Sequence, residues 1–441
     1  MTVPRILHLL PRFTGAGPER SLLASIAFAP ATAPPLHHTV AVLDVPVAAS
    51  MYLAARRLGV DLLVQPTVGA IEQAAAAADL IVVHYWNHPL LLSVLGQADL
   101  GSTRILVWSM VLGLHRPQVL TAEIGDFADV LVVTTERSMQ SEAATTCAIV
   151  HTVPGIADMG RLDNWRPVPH DGIHVGYLGS VSPVKMHPRF AEMCARVRDQ
   201  SVSFVIVGSG GGEDQLRARA VDLGLGARFA CNGYTDDIST ALGTFDIFGY
   251  PLSVDTYATS EKALQEAMWV GIPPVVFPHG GLVDLVEDEV TGLVVDDEDG
   301  YVAAIDSLVG DASLRRRLGD EARRVARERF DPHSIASAWA NVIAVALAQP
   351  PRSRLPLYAN KTGAELFVAA NGIEAGPFAR SLEPGGQSSS ADGEIACSSP
   401  LVIGGDGGIA HYRKVWPEDP LLDRWAELVW NGKSSRAHPE M

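Results

Sequence analysis

The feature that most constrains this chain is a series of short β-branched runs, most of them apolar throughout, separated by Ala- and Leu-rich stretches with helical spacing. Ile6–Leu10, Thr39–Leu43, Asp61–Val64, Leu80–His84, Ile105–Trp108, Val130–Thr134 and Ala148–Val153 read as strands, with Glu19–Phe28, Met51–Leu58 and Ile71–Ala77 as helices between them. A strand exposed on one face alternates apolar and polar residues, whereas one covered on both faces does not. The runs therefore predict a parallel sheet with helices on both sides. A polar, Pro-containing stretch at 158–172 interrupts the pattern, which restarts with His174–Gly179, Ser203–Gly208, Arg228–Asn232, Ile247–Tyr250, Pro274–Phe277 and Gly292–Val295. Ser313–Arg329 and Pro332–Ala348 then read as helices.

The expectation is an α/β protein of two Rossmann-like, doubly wound domains facing a cleft. Their limits are 1–157, a linker at 158–172, 173–332, and a closing helix at 333–348. Residues 349–441 form a C-terminal extension. Within it, 382–394 is poor in apolar residues and is expected as a mobile loop. The aromatic-rich end, with Trp416, Trp425 and Trp430, is expected to dock on the body and to stabilise the N-terminal half.

Composition removes several function classes. The formal net charge of −16 argues against coating a nucleic acid, although a local site can still be positive. Cys147, Cys194, Cys231 and Cys397 are scattered, with no His at ligand spacing, which argues against zinc and against a disulfide framework. No run reaches the roughly 20 apolar residues that span a bilayer, and the opening MTVPRILHLLPRF reads as a first strand. A cytoplasmic location is expected.

The strongest local signal is Tyr250–Val295. A strand ends at Tyr250 and a helix is expected to open near Thr259 or Ser260, both good N-caps. Its first amides then form an anion site at the carboxyl end of a strand. Glu266, further along, suits a ribose diol, and the Gly280–Gly281 turn allows backbone amides to approach a ligand. Two ordinary strand–turn–helix connections are the competing account. Three weaker signals accompany this one. Lys185 follows the strand in GYLGSVSPVKMHP, with His187 as a lesser candidate. Gly15 and Gly17 sit in the turn PRFTGAGPERS, before a helix whose dipole faces the same way. His84, ahead of His88, falls at the carboxyl end of a strand, where a satisfied core histidine is an equal reading.

Other patterns are set aside. VGSGGGED has Glu213 in the third Gly position of a dinucleotide fingerprint. Asp297-Glu298-Asp299 lies in a solvated turn and is not expected to hold a metal. The basic helix Ser313–Arg329 has acidic residues interleaved, so an exposed helix face outweighs a lipid contact.

Over about residues 5–348 the chain resembles the retaining glycosyltransferases of family 4 (glycosyl transferases group 1), which have the GT-B fold. Glu266-Ala267-Met268-Trp269-Val270-Gly271-Ile272-Pro273 matches that family's EAMxxGxPxV segment, whose Glu contacts the donor ribose. Lys185 matches its diphosphate-binding Lys, the 11–21 loop its GGxE loop, and His84 a His that reaches the donor sugar. The sequence departs from the pattern at Ser180, where Arg is usual, at Ala258, where a second Glu is frequent, and at Met110, where His is common. Glu261 stands near enough to Ala258 to substitute, and Gly113 and His115 lie near Met110.

The resemblance implies sugar transfer from a nucleotide sugar to an acceptor hydroxyl with retention, without metal or further cofactor. His84 and Glu261 are then the catalytic candidates. Gly15, Gly17, Lys185, Thr259, Ser260, Glu266, Gly280 and Gly281 hold the donor. The acceptor class is a glycan, glycolipid or small molecule, in cell-surface polysaccharide or glycoconjugate synthesis, with a peripheral contact at the inner membrane face left open. The alternatives are another GT-B sugar-nucleotide enzyme, an epimerase or hydrolase, or a catalytically lapsed binding partner. The oligomeric state is not specified by these residues.

Overall fold

The structure is a computed structural model and describes residues 3–384 and 389–436. It divides into two compact units, Met1–Val153 with Ala336–Met441, and Pro154–Ile335.

The first unit is built on a parallel sheet of β1 (Arg5–Leu10), β2 (His37–Val42), β3 (Asp61–Val64), β4 (Leu80–Tyr85) and β5 (Arg104–Ser109). A small antiparallel ribbon, β6 (Leu114–His115) with β7 (Gln118–Val119), precedes the last two strands, β8 (Val130–Val133) and β9 (Val150–Thr152). The order is β3-β2-β1-β4-β5-β8-β9, so the direction of winding reverses between β1 and β4. Side chains alternate across the sheet. Leu7, Leu9, Ile81, Val83, Ile105 and Val107 pack on one face in a core that includes Phe367, Tyr412 and Trp425 of the extension. On the other face Trp108 meets Trp339 of the helix Pro332–Ala348, with ring centroids 3.9 Å apart.

The second unit repeats the topology with β10 (His174–Leu178), β11 (Ser203–Val207), β12 (Phe229–Cys231), β13 (Ile247–Tyr250), β14 (Pro274–Val276) and β15 (Leu293–Val294). Its order, β12-β11-β10-β13-β14-β15, reverses between β10 and β13. The strands expected from sequence lie where the strands of the two sheets are, with ends that differ by at most two residues in either direction. The stretch 158–172 is fastened to this unit. Met159 and Leu162 are buried in its core, and the Val168 amide donates to Gly243 O at 2.7 Å.

The extension is helical, with Gly363–Asn371, Pro377–Leu382, Ser389–Ala396, Pro400–Gly404, Ile409–Val415 and Pro420–Arg436. It is anchored at its start by Arg352 and Arg354, which both bond Asp129, at 2.6 and 2.7 Å. The loop expected over 382–394 becomes a helix from Ser389, while 385–388 lie outside the described residues. The reason is a short apolar stripe. Ala391 and Ile395, one turn apart, are both buried, and Asp392 pairs with Arg424 at 2.7 Å. Trp425 is fully buried and donates to Ser381 Oγ at 3.0 Å; the side chain of Trp430 lies outside the described residues. Among the described residues no helix is long and apolar enough to cross a membrane.

Candidate active site

In an open parallel sheet, ligands sit outside the carboxyl ends of the strands, at the point where the winding reverses. In the second unit that point lies between β10 and β13. The loop after β10 brings Lys185, and the loop after β13 brings Glu261. The two loops are tied together. The His187 amide donates to Pro251 O at 2.9 Å, the Ser253 amide donates to Lys185 O at 2.8 Å, and Met186 bridges Leu252.

This ties Lys185 Nζ to Glu261 Oε1 at 2.5 Å, while the Tyr250 hydroxyl donates to Glu261 Oε2 at 2.6 Å. Burial by itself raises the pKa of Glu261. The Lys185 charge and the two hydrogen bonds outweigh it and hold the carboxyl below its ordinary value. Burial, reinforced by the Glu261 charge, pushes the Tyr250 phenol far up, so it stays a neutral donor. The result is a half-buried, mutually neutralised lysine–carboxylate pair at the ligand edge of the sheet.

The local geometry differs from expectation at two places around this pair. The N-cap of the helix Lys262–Val270 is Glu261, with no side-chain capping bond, and not Thr259 or Ser260. The Ser260 hydroxyl is captured instead by the Gly155 amide at 2.9 Å and by Gln265 Nε2 at 2.7 Å. The buried Thr259 accepts the Glu261 amide on its carbonyl at 3.1 Å. Finally, the Gly281 amide does not face outward but donates to Ala258 O at 2.9 Å. Gly280 makes that closure possible: its φ is +59°, and a Cβ there would lie 2.6 Å from the same carbonyl.

Glu266 is buried on the same helix, 3.9 Å from Arg161 Nη1. The loops after β10 and β11 interlock through Gly208, where a Cβ would stand 1.8 Å from Gly179 O. A Cβ at Gly210 would stand 2.5 Å from Ser180 Oγ, so position 180 is already in tight contact. Glu213 accepts the Gly210 amide at 2.9 Å, which makes it a brace for its own loop. The acidic triplet is structural as well. Asp297 caps the helix Glu298–Gly310 through the Gly300 amide at 2.7 Å, and Glu298 and Asp299 pair with Arg189 and Arg196. Among the described residues no group of three or more His, Cys, Asp or Glu is arranged to hold a metal ion.

In the first unit, Gly17 opens the helix Gly17–Ala27 and Gly15 O accepts Arg20 Nε at 2.6 Å. His84, next to last in β4, is only 2% exposed. Its Nε2 lies 3.1 Å from His8 Nδ1, and His8 Nε2 lies 2.9 Å from His38 Nδ1. Burial lowers the pKa of all three, His38 to about 4 and His84 to about 3, so the chain is uncharged. His84 Nδ1 is buried without a hydrogen-bond partner, and the ring rests on Trp108 at 5.1 Å. The structure thus places His84 among core imidazoles. His115 is exposed on β6 and Gly113 is buried.

Sequence reasoning had not singled out Tyr250 as a partner of Glu261, nor Arg161, His8 and His38. A lone polar residue inside an apolar strand, as in IleLeuHisLeuLeu at 6–10, was the available signal for His8.

Residues 163–325 match the model of the family glycosyl transferases group 1. The matched segment contains Lys185, Tyr250, Glu261 and Glu266. A lipopolysaccharide core biosynthesis glycosyltransferase of Rhizobium meliloti (strain 1021) is 28% identical over 42% of this chain and 53% of its own length. A GDP-mannose-dependent alpha-mannosyltransferase of Mycolicibacterium smegmatis is 32% identical over 41% of this chain and 45% of its own. The chain thus spans about half the length of these curated relatives. Among solved structures, Anabaena HepE in complex with UDP and glucose superposes with a TM-score of 0.65 at 18% identity, covering 78% of this chain and all of that one. A sucrose-phosphate synthase of Thermosynechococcus elongatus does so at 0.60 and 17%, over 78% and 99%. The fold is that of the GT-B glycosyltransferases.

Proposed function

We propose that this chain is a glycosyltransferase that moves a sugar from a nucleotide-sugar donor to an acceptor hydroxyl, with retention and without a metal, in polysaccharide or glycoconjugate synthesis. The observation that carries the reading is the Lys185–Glu261–Tyr250 cluster at the switch point of the second sheet, inside the family-matched segment. A departing diphosphate needs positive charge in a site shielded from water. Lys185 is a cation at that edge, and its side chain keeps 23% of its surface exposed. Glu261 neutralises it. A diphosphate, with more negative charge, would compete for Lys185 and release the carboxylate toward the sugar. Glu266 would take the ribose. The names of the relatives and the ligands of HepE make UDP-sugars and GDP-mannose the first donors to test.

Retention would follow from acceptor attack on the face that the diphosphate leaves, with no protein nucleophile. The test is a thermal-shift panel of UDP-, GDP-, dTDP- and ADP-sugars, with Glu266→Ala and Lys185→Ala alongside. A rise of several degrees with one donor, lost in both variants, is the expected result. No shift with any donor would favour the lapsed, partner-binding alternative, for which the occupied Lys185 is the structural argument. Turnover of a bound donor without transfer to any acceptor would favour the hydrolase or epimerase reading.

A further inference from the structure

The switch point of the first sheet, between β1 and β4, is finished by residues from the far end of the chain. Arg12 follows β1, Asp44 follows β2, and Trp86 and His88 follow β4. Arg12 Nη1 donates to Asp406 Oδ1 at 3.0 Å, and Arg12 Nη2 lies 3.3 Å from His411 Nε2. Arg12 Nε is 3.5 Å from Asp44 Oδ2, and its guanidinium lies over the Trp86 ring, 5.3 Å from the centroid. The His411 ring meets His88 edge-on at 4.6 Å.

The segment around 406–412 is held in place by buried polar bonds. Gln118 Nε2 donates to Asp406 O at 2.8 Å, the Gly407 amide donates to His411 Nδ1 at 3.1 Å, and the Tyr412 hydroxyl donates to Asn87 Oδ1 at 2.5 Å. Yet the cluster is not closed. The side chains of Arg12, Asp44 and Asp406 keep 31%, 30% and 44% of their surface exposed. Beneath them His88 is fully buried, and its Nε2 has no hydrogen-bond partner. The nearest carboxylate oxygen, Asp44 Oδ2, is 3.8 Å away, beyond hydrogen-bond reach. Since His88 Nδ1 accepts the Leu90 amide at 3.2 Å, Nε2 carries the proton and lacks an acceptor on the side of the cluster.

We propose that this cluster is a glycoside-binding subsite, with Asp406 of the C-terminal extension as a specificity-determining residue for the acceptor. The proposal rests on the glycosyltransferase reading for the word acceptor, but not for the binding itself. The chemistry selects neutral hydroxyls. Arg12 and the nearby Lys414 against Asp44 and Asp406 leave no excess positive charge to draw an anion. The alternation of donor and acceptor groups suits vicinal hydroxyls, each of which both donates and accepts. The location satisfies the switch-point rule independently of any relative.

The experiment titrates the full chain with methyl glycosides of glucose, mannose and galactose, following tryptophan fluorescence, since Trp86 lies under Arg12. Variants are Asp406→Asn, Asp44→Asn and, as a control on the same extension, Arg413→Ala, which loses only an exposed pair with Asp423. Melting temperatures are recorded throughout. The expected result is saturable binding of at least one glycoside, weakened tenfold or more in both Asn variants and unchanged in Arg413→Ala. The second Asn variant decides the matter should the first melt early. Equal binding by folded Asn variants, or no binding of any glycoside by the wild-type chain, overturns the subsite. Failure of every nucleotide sugar in the thermal-shift panel would overturn the glycosyltransferase reading instead, and glycoside binding would still decide the subsite.

Discussion

At the switch point of the second sheet, Lys185 and Glu261 meet from loops 76 positions apart. At the switch point of the first, Arg12 meets Asp406 across 394 positions. Six strands of the first sheet and the six of the second share one order, yet one sheet completes its ligand edge from its own βα loops and the other borrows from the end of the chain. The second edge is built on an ionised lysine–carboxylate pair, the first on uncharged imidazoles beneath a partly exposed charge cluster. A self-contained edge leaves a local motif. A borrowed edge leaves none, and it makes the extension part of the first unit's core and not an appendage.

Truncation after Ala348 tests that difference most severely. It removes Phe367, Phe378, Tyr412 and Trp425, all essentially buried, and leaves Asn87 without Tyr412. Losing one such aromatic costs about 3–5 kcal/mol, against a total stability of about 5–15 kcal/mol for a domain. The truncated chain should fail to give a soluble, cooperatively melting first unit. A soluble product with an unchanged melt would mean that the extension is accessory and that the contrast is one of decoration.

Acid should separate the units next. His8, His38 and His84 have folded pKa values depressed by burial, with His38 and His84 near 4 and 3. The unfolded chain therefore binds more protons between about pH 6.5 and 4. Their stabilising contribution is present above about pH 6.5 and is lost as pH falls toward the folded values. From pH 7.5 to 5.5 each imidazole forfeits about 1.4 kcal/mol, up to about 4 kcal/mol for the three. In the second unit the histidines with lowered values, His174 and His187, are only half-buried. Calorimetry at pH 5.5 should show the first unit melting earlier than at pH 7.5 and the second nearly unmoved. Replacing His38 and His84 together by Gln should reduce that pH slope without abolishing it, since burial also holds His8, His88 and His411 of the first unit low. An equal loss in both units would erase the comparison.

How much of this was legible follows from the same contrast. The strands and their doubling were readable because strands covered on both faces must be apolar, and Ile6–Leu10 or Phe204–Val207 have no other economical reading. Lys185, Glu261 and Glu266 could be singled out because each stands in a short local motif inside one family-matched segment. What each does in the folded chain was not readable. Glu261 was expected near the sugar, but its backbone spacing does not reveal that Lys185 and Tyr250 take its two oxygens. Ser260 was a sound N-cap by propensity, overridden by the Gly155 amide from another segment. The Arg12–Asp406 cluster had no sequence signature at all, because nothing local couples positions 12 and 406.

A smaller effect tests whether the second edge is as self-contained as it looks. Lys185→Met should cost about 2–3 kcal/mol, below the 3–5 kcal/mol of a fully buried broken pair, since Lys185 is partly exposed. The loss arises because Glu261 is left buried beside Tyr250 with its charge uncompensated. The double variant Lys185→Met/Glu261→Leu should recover most of it. Urea denaturation of the single and double variants measures both. A double variant as unstable as Lys185→Met would show that Glu261 is held by more than this pair.

The smallest effect concerns the acidic turn after β15, which lies at the same carboxyl edge but at the sheet's outer strand, away from the switch point. Asp297 there accepts the Gly300 amide as an N-cap, a bond worth about 1 kcal/mol. Asp297→Ala should lower stability by about that amount. It should leave the thermal shift with the preferred nucleotide sugar intact, and manganese should not raise the melting temperature of either form. A loss of donor binding would extend the ligand edge across to β15, and the switch point would no longer be what sets the two edges apart.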